Sequence, residues 1–253
     1  MMMVVDKSGS MQALDMSKDD KEQDRLTALK EVLGEFVKGN HKNLKGRPDD
    51  AIGVVSFGSF PDSDCPLTLD HLTLMQIVQD IEIAEQSESG TAIGDALGLA
   101  VERLREAPGT SKVIVLLTDG VNNTGYEDPM DSARMAAQFG IKVYTIGIGT
   151  NGVAPIRVTN PFTGRPVIQQ VPVEIDEDTL KEIAVITGGH YFRATNRQGL
   201  EDIYQKIDAM EKTKISEDRI THYDEKYGIF LVIGLILAAL GLLLKQTYYS
   251  RSP

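Results

Sequence analysis

Met1-Met-Met-Val-Val5-Asp6-Lys7-Ser8-Gly9-Ser10 opens the chain as an apolar run that ends in an aspartate and a hydroxyl-rich loop. The five apolar residues predict a buried strand of the kind found inside a parallel sheet. Open α/β sheets bind ligands in the crevice beyond the carboxyl ends of their strands, which is where Asp6 and the two serines would lie. Gly9 permits a tight turn that aims both hydroxyls at one point. This stretch therefore predicts an α/β fold and a ligand site on it.

The rest of the chain alternates short apolar runs with amphipathic stretches, the pattern of βαβ units and a mostly parallel sheet. The predicted strands are 1–5, 51–57, 112–118, 141–148 and 190–194, with a short antiparallel edge strand at 66–69. The predicted helices are 25–37, 72–83, 92–105, 130–139, 178–187 and 200–215. Residues 150–172 break the alternation, and the turn-like segment 159–164 predicts a surface hairpin there. We predict a doubly wound, mostly parallel, Rossmann-like domain over residues 1–215.

Two further segments bring polar side chains to the same predicted edge of the sheet. Ser89-Gly90-Thr91 introduces a helix, and the apolar run before Thr118-Asp119 ends in a carboxylate. Because neighbouring strand ends converge at the switch point of a doubly wound sheet, both segments would join the first loop there. Simpler interpretations stay open. Thr91 is a good helix N-cap, Asp119-Gly120 is a good turn, and Asp-x-Ser-x-Ser often only caps a helix.

The candidate site consists of hard oxygen ligands, namely Asp6, Ser8, Ser10, Thr91 and Asp119. Such ligands suit Mg²⁺, with Mn²⁺ or Ca²⁺ as alternatives, rather than a soft metal. A single cysteine, expected in the core, excludes a disulfide framework and a Cys-based metal site. The net charge of −11 argues against a nucleic-acid partner, because phosphate binding needs a basic face.

Taken together, the three segments resemble the von Willebrand factor A family and its metal-ion-dependent adhesion site. That site reads Asp-x-Ser-x-Ser, then a Thr in a Ser-Gly-Thr-like loop, then an Asp after a central strand, and all five positions match here. The resemblance covers roughly residues 1–210. It implies that Ser8, Ser10 and Thr91 ligate the metal through their hydroxyls, while Asp6 and Asp119 act through waters or hydrogen bonds.

Neutral hydroxyl ligands leave a divalent cation under-neutralised, so an Asp or Glu of a protein partner can fill the open position. The resemblance therefore implies metal-dependent protein–protein binding without catalysis. A metal-dependent hydrolase that uses Asp6 or Asp119 is the alternative. Against it, no Ser–His pairing can be argued, and Ser8 stands where a haloacid-dehalogenase phosphatase needs a second aspartate.

A narrower resemblance is to the aerotolerance-operon (Bat) membrane proteins, carried by 147–149, 175–184 and 187–192 and by the apolar C-terminal segment. It implies a periplasmic domain at a bacterial inner membrane, with other Bat-type membrane proteins and a MoxR-type ATPase as partners. That group usually has two membrane helices ahead of the domain. We therefore expect the natural chain to start upstream of Met1.

The C-terminal segment 227–244 carries no charge and is nearly all apolar. As a helix at ~1.5 Å per residue it would span about 27 Å, close to the ~30 Å hydrocarbon core of a bilayer. We predict a single transmembrane helix over 227–245, after a polar linker over 216–226 and before a short tail over 246–253. A buried core helix is the alternative. Lysines and arginines flank both sides, so the positive-inside rule does not set the orientation.

Two other features of the sequence are a glycine pattern at 147–152 and an acidic stretch at 15–24. Gly147-x-Gly149-x-x-Gly152 mimics a dinucleotide fingerprint, but the residues after it open no helix that could face a phosphate. The acidic stretch 15–24 follows the first loop and is predicted to be a solvated loop. Its alternative is a place on the rim that selects the partner.

Overall fold

The computed structural model describes residues 1–17, 22–40, 44–85, 88, 90–109, 111–150, 152–159, 165–173, 175–218 and 227–247. The chain divides into two compact units, Met1–Lys212 and Thr213–Pro253. The strands are β1 (Met2–Asp6), β2 (Ile52–Phe57), β3 (Pro61–Thr68), β4 (Lys112–Thr118), β5 (Ile141–Ile148), β6 (Gly152–Thr159), β7 (Pro166–Val173) and β8 (Tyr191–Ala194). The helices are α1 (Arg25–Lys38), α2 (His71–Asp80), α3 (Ile93–Arg105), α4 (Pro129–Gln138), α5 (Glu177–Thr187), α6 (Arg197–Asp218) and α7 (Tyr227–Thr247).

Six strands form one sheet in the order β3-β2-β1-β4-β5-β8. Only β3 runs antiparallel, paired with β2, so the predicted mostly parallel α/β sheet with an antiparallel edge strand is confirmed. β1 lies between β2 and β4, and the order of the strands reverses there. Val5 lies opposite Leu117 in the register of β1 and β4. Asp6 follows Val5 directly and Asp119 lies two residues after Leu117, so this pairing brings both aspartates to the same edge of the sheet.

β1 is buried along its whole length because both faces of the sheet carry helices. Met3 and Val5 pack in the cluster that contains Leu29 and Leu33 of α1. Met2 and Val4 pack in a second cluster on the other face, with Ile93 and Leu97 of α3. Fully burying one such aliphatic side chain is worth about 1.5–3 kcal/mol, so the site at the end of β1 stands on a rigid strand.

α1 and the turn before it connect the first loop to the rest of the domain. A short 3-10 turn covers Gly9–Gln12, directly after β1. α1 then begins at Arg25, where Asp24 caps the helix by accepting a 2.7 Å hydrogen bond from the Thr27 N–H. The helix ends at Lys38 and is followed by Gly39, whose φ of 88° suits glycine.

The predicted hairpin forms as β6 and β7, paired antiparallel from Gly152–Val173 to Thr159–Pro166. The centre of its connection, residues 160–164, lies outside the described residues. Ala13 forms an isolated antiparallel bridge with Ile156, and the Leu14 N–H donates a 2.8 Å hydrogen bond to the Pro155 carbonyl. The hairpin therefore docks on the segment that follows the first loop.

The C-terminal unit contains the helix α7, which covers the whole of the segment 227–245 that was predicted to cross a membrane. Among the described residues, however, no helix meets the combined length and hydropathy that a membrane span requires. The predicted transmembrane helix over 227–245 is therefore not supported. The predicted linker begins inside a helix, because α6 continues to Asp218, and residues 219–226 and 248–253 lie outside the described part of the chain.

Candidate metal centre

Asp6 ends β1 with its carboxylate fully buried and with both of its oxygens engaged by the protein. Oδ1 accepts a 2.7 Å hydrogen bond from the Ser8 N–H, and Oδ2 accepts one of 2.5 Å from the Thr118 hydroxyl. Burial raises the pKa of Asp6 to about 7, and the nearby charge of Asp119 adds to the rise. This carboxylate shapes the loop, and its burial disfavours the ionised form.

Two hydroxyls and a carboxylate meet in front of Asp6. Ser8 Oγ and Ser10 Oγ lie 3.0 Å apart, and Ser10 Oγ donates a 2.6 Å hydrogen bond to Asp119 Oδ1. Burial raises the pKa of Asp119, while the Arg25 guanidinium opposes that rise. The first loop and the end of β4, which are 109 residues apart in the sequence, thus converge as predicted.

Thr91 completes the group from the loop before α3. A Cβ built on Gly120 would lie 3.1 Å from Thr91 Oγ1, so this hydroxyl lies beside the residue that follows Asp119. The N-cap of α3 is Ala92 and not Thr91, so the simpler interpretation of Thr91 as a cap is wrong. Asn123 holds Thr91 from both sides, because its side-chain oxygen accepts from the Thr91 N–H and its N–H donates to the Thr91 carbonyl.

Arg25, the first residue of α1, was not identified from the sequence as part of the site. Its buried guanidinium donates from Nη1 to Asp119 Oδ2 at 2.6 Å. Nε and Nη2 donate to the two oxygens of Asp15 at 2.8 Å and 2.5 Å. Asp15 therefore turns inward, and the prediction of a solvated loop is wrong at that residue. An arginine followed at once by the apolar face of a helix was the only signal in the sequence.

The donor set fits a hard divalent cation. Its atoms are hydroxyl and carboxylate oxygens, the ligands that Mg²⁺, Mn²⁺ and Ca²⁺ prefer. The charge of Asp119 also raises the cost of ionising the buried carboxylate of Asp6, and a nearby cation would lower that cost. Among the described residues no three His, Cys, Asp or Glu side chains form a cluster suited to a metal.

The candidate site opens into a depression of about 440 Å³ with two different walls. The polar wall carries Ser10, Thr91, Asp119 and Asn123. The opposite wall is apolar and belongs largely to the β6–β7 hairpin, through Ile156, Val171, Pro172 and Val173. A ligand that enters this depression therefore meets a polar and an aliphatic surface together.

The remaining expectations from the sequence fall outside this site. Cys65 is buried in the core, as predicted. Gly152 begins the strand β6 rather than a helix, so the glycine pattern at 147–152 forms no dinucleotide site.

A family model for the von Willebrand factor type A domain matches residues 1–206 of the chain. A UPF0353 protein of Mycolicibacterium paratuberculosis (strain ATCC BAA-968 / K-10) is 30% identical over 216 residues. The match covers 82% of this chain and 59% of that protein. The chain therefore spans less than two thirds of the length of this relative.

Several solved structures are similar to this chain in fold and in sequence. BatB, a conserved hypothetical protein from Bacteroides thetaiotaomicron, has a TM-score of 0.67 and 28% identity, covering 83% of this chain and 98% of that one. An aerotolerance-related membrane protein from Bacteroides fragilis NCTC 9343 has a TM-score of 0.63 and 25% identity, covering 81% and 96%. Proximal thread matrix protein 1 of the mussel byssus, with a zinc-occupied MIDAS motif, shares the fold at a TM-score of 0.57 and 21% identity, covering 81% and 46%. The resemblance to Bat-type proteins expected from the sequence is confirmed.

Proposed function

This chain belongs to the von Willebrand factor type A domain family, and on that premise we propose that it binds a protein partner through a divalent cation. Ser8, Ser10 and Thr91 would hold the cation through their hydroxyls. Asp6 and Asp119 would orient those hydroxyls and balance the charge. The observation that carries the proposal is the 2.6 Å hydrogen bond between Ser10 Oγ and Asp119 Oδ1, beside the hydroxyl of Ser8.

The cation would supply a Lewis-acidic coordination position for an anionic ligand. Neutral first ligands preserve its positive charge, and a carboxylate from an Asp or Glu of the partner would complete the coordination. Mg²⁺ is the cation that we propose, with Mn²⁺ and Ca²⁺ as alternatives suited to the same oxygens. Zinc belongs in the same test because one member of this fold family, the mussel protein, carries it at the corresponding motif.

We propose binding rather than catalysis. A carboxylate that acts as a nucleophile or a general base needs a free oxygen in reach of its substrate. Both oxygens of Asp6 are held by Ser8 and Thr118, and both oxygens of Asp119 are held by Ser10 and Arg25. The hydrolase alternative would require turnover of a phosphate ester by the purified protein that is lost in Asp119→Ala.

The apolar wall gives the partner a second property. An acidic side chain on the cation would place its neighbours against Val171 and Pro172 of the hairpin. Apolar neighbours gain free energy from burial at that wall, whereas charged ones would lose hydration. We therefore infer that the partner presents an acidic residue beside an aliphatic one.

We further propose that the domain acts at a bacterial inner membrane, on the periplasmic side, together with other Bat-type membrane proteins and a MoxR-type ATPase. Support comes from the solved relative described as an aerotolerance-related membrane protein. The apolar side chains that α7 exposes, among them Leu235 and Leu242, offer a means of attachment. Recovery of the protein in the soluble fraction of lysed cells, or protection of the domain from protease added to spheroplasts, would contradict this placement.

Calorimetric titration with Mg²⁺, Mn²⁺, Ca²⁺ and Zn²⁺ tests the metal site directly. Wild-type protein should bind Mg²⁺ or Mn²⁺ near or below millimolar concentration, and Ser10→Ala should weaken that binding at least tenfold. Ser63→Ala removes a hydroxyl from an exposed residue of β3 and should leave binding unchanged. Wild-type protein that binds none of the four metals would contradict the proposed function.

A further inference from the structure

Arg25 is fully buried beside the candidate metal site, and the side chain ties three parts of the domain together. The guanidinium donates to Asp119 at the end of β4 and to both oxygens of Asp15 in the segment after the first loop. A buried guanidinium is unfavourable unless its donors are satisfied, and this one has three hydrogen bonds to carboxylates. Such an arrangement is far more ordered than a surface ion pair.

The backbone makes room for this guanidinium at one glycine. Gly149 follows β5 with a φ of +96°, and a Cβ at that position would overlap the guanidinium of Arg25. Gly149 also donates its N–H to the Ala194 carbonyl, so its place is fixed by the sheet. The guanidinium of Arg25 therefore lies against the backbone at the end of β5 and bonds the residue that follows β4, in space that a side chain at position 149 would fill.

We propose that Arg25 is a positioning residue of the metal site, holding Asp119 by Oδ2 so that Oδ1 faces Ser10 and the cation. This inference rests on the proposed function. Without Arg25 the carboxylate of Asp119 would have one fixed hydrogen bond, from Ser10, and could rotate about its Cβ–Cγ bond. The planar fork of arginine is suited to this task, because it engages two carboxylates at fixed angles.

Asp15 balances the positive charge of the Arg25 guanidinium. Its carboxylate takes two of the guanidinium's hydrogen bonds and neutralises the positive charge next to a site that must attract a cation. The pair Arg25–Asp15 thus supplies direction to Asp119 while adding no net charge. A lone arginine at this position would repel the cation.

The same pair fixes the rim of the depression. The Arg25 N–H donates to the Ala13 carbonyl at 3.1 Å, and Ala13 bridges to Ile156 of the hairpin. A continuous set of contacts therefore links Asp119, Arg25 and Asp15 to the apolar wall. A change in the orientation of Asp119 would be transmitted to the surface that meets the partner.

The double variant Arg25→Met/Asp15→Leu tests the proposal because it removes both charges at once and keeps the net charge of the site. The variant also leaves the buried carboxylate of Asp119 without its guanidinium, and a buried charge that has lost its partner lowers stability. We therefore expect the metal-free variant to melt below the wild-type temperature while it stays folded at the temperature of the assay, and to bind Mn²⁺ about tenfold more weakly, as is typical when residues that orient ligands are lost. A crystal structure of the variant should show the Asp119 carboxylate turned away from Ser10.

Arg47→Met/Asp208→Leu is the matched control, since it removes a buried arginine and one aspartate and leaves a second aspartate, Asp50, without its arginine. These charges lie near the amino group of Met1, at the start of β1, and not at the candidate site. Mn²⁺ affinity should not change in this control. If the Arg25 double variant does not fold, Arg25→Lys decides, because it keeps the positive charge but loses the fork, and the folded lysine variant should bind Mn²⁺ more weakly than wild type.

Mn²⁺ titration distinguishes failure of the proposed function from failure of the role of Arg25. Wild-type protein that binds no Mn²⁺ would remove the proposed function and this inference with it. Wild-type protein that binds Mn²⁺ while the folded variant binds equally well would overturn the role of Arg25 alone.

Discussion

The Thr118 hydroxyl donates a 2.5 Å hydrogen bond to Asp6 Oδ2 across the seam between β4 and β1. The same hydroxyl oxygen accepts a 3.1 Å hydrogen bond from the Gly120 N–H. One buried side chain therefore holds the aspartate of the first loop and the backbone that follows Asp119. The two strand ends are joined by this hydroxyl, with no cation needed for the contact.

Thr118→Val should destabilise the metal-free domain by about 1–3 kcal/mol, because it leaves a buried carboxylate oxygen without its donor. Urea unfolding in the presence of EDTA measures the change. Thr118→Ser keeps the hydroxyl and should recover most of the loss. Equal stability of the valine variant and wild type would mean that this hydrogen bond contributes nothing to the loop.

The five candidate residues could be predicted because they depend only on strand order and strand ends. Asp6, Ser8, Ser10 and Asp119 follow apolar runs whose burial on both faces dictates central positions in the sheet. Thr91 precedes a helix that returns to the same edge. Their metal-binding role stays a proposal, but their convergence follows from the topology.

Arg25 and Asp15 could not be predicted in the same way. Hydrophobic periodicity treats the first residue of a helix and an acidic loop as solvated, whereas their burial depends on the path of the chain between β1 and α1. The edge strand is a similar case. It was expected at 66–69 but covers Pro61–Thr68, because its pairing with β2 relies on bulges and on Asp64, which accepts from the Ser56 N–H.

Gly149→Ala should lower the free energy of unfolding by about 1–3 kcal/mol more than a positive φ alone explains, because its Cβ would overlap the Arg25 guanidinium. Gly140→Ala is the control. Gly140 also has a positive φ, 66°, but open space surrounds the position of its Cβ. Thermal melts of both variants give the comparison, and equal losses of stability would show that Arg25 can move aside at no cost.

The contacts of Glu211, a residue remote from the candidate site, predict that the stability of the domain depends on pH. The Tyr144 hydroxyl donates to its carboxylate at 2.6 Å, with further contacts from Lys142 and Ser111. Although burial raises the pKa of Glu211, these partners outweigh it, and the pKa is lowered from 4.5. Because the folded pKa lies below the unfolded one, the stabilisation is present above pH 4.5 and is lost as pH falls through the folded pKa.

Glu211→Gln should therefore be less stable than wild type at pH 7, and the difference should shrink as the pH falls below 4.5. Denaturant unfolding at a series of pH values measures it. A constant difference across that range would mean that the charge of Glu211 is not what its partners stabilise.

Val171→Asp tests the apolar wall of the depression with small carboxylates in place of the partner. In Mn²⁺-loaded wild-type protein, isovalerate should bind more tightly than acetate, by about fourfold for each methylene that the wall buries. Val171→Asp should remove this preference, because the new carboxylate is unfavourable beside an aliphatic tail and repels the anion. Displacement of Mn²⁺-bound water, followed by proton relaxation, reports binding of either acid.

Val153→Asp, on an exposed residue of the same hairpin outside the depression, should keep the preference of the wild type. Equal affinity of wild-type protein for acetate and isovalerate would mean that the hairpin does not contact the group next to the bound carboxylate, and the aliphatic half of the proposed recognition would be wrong.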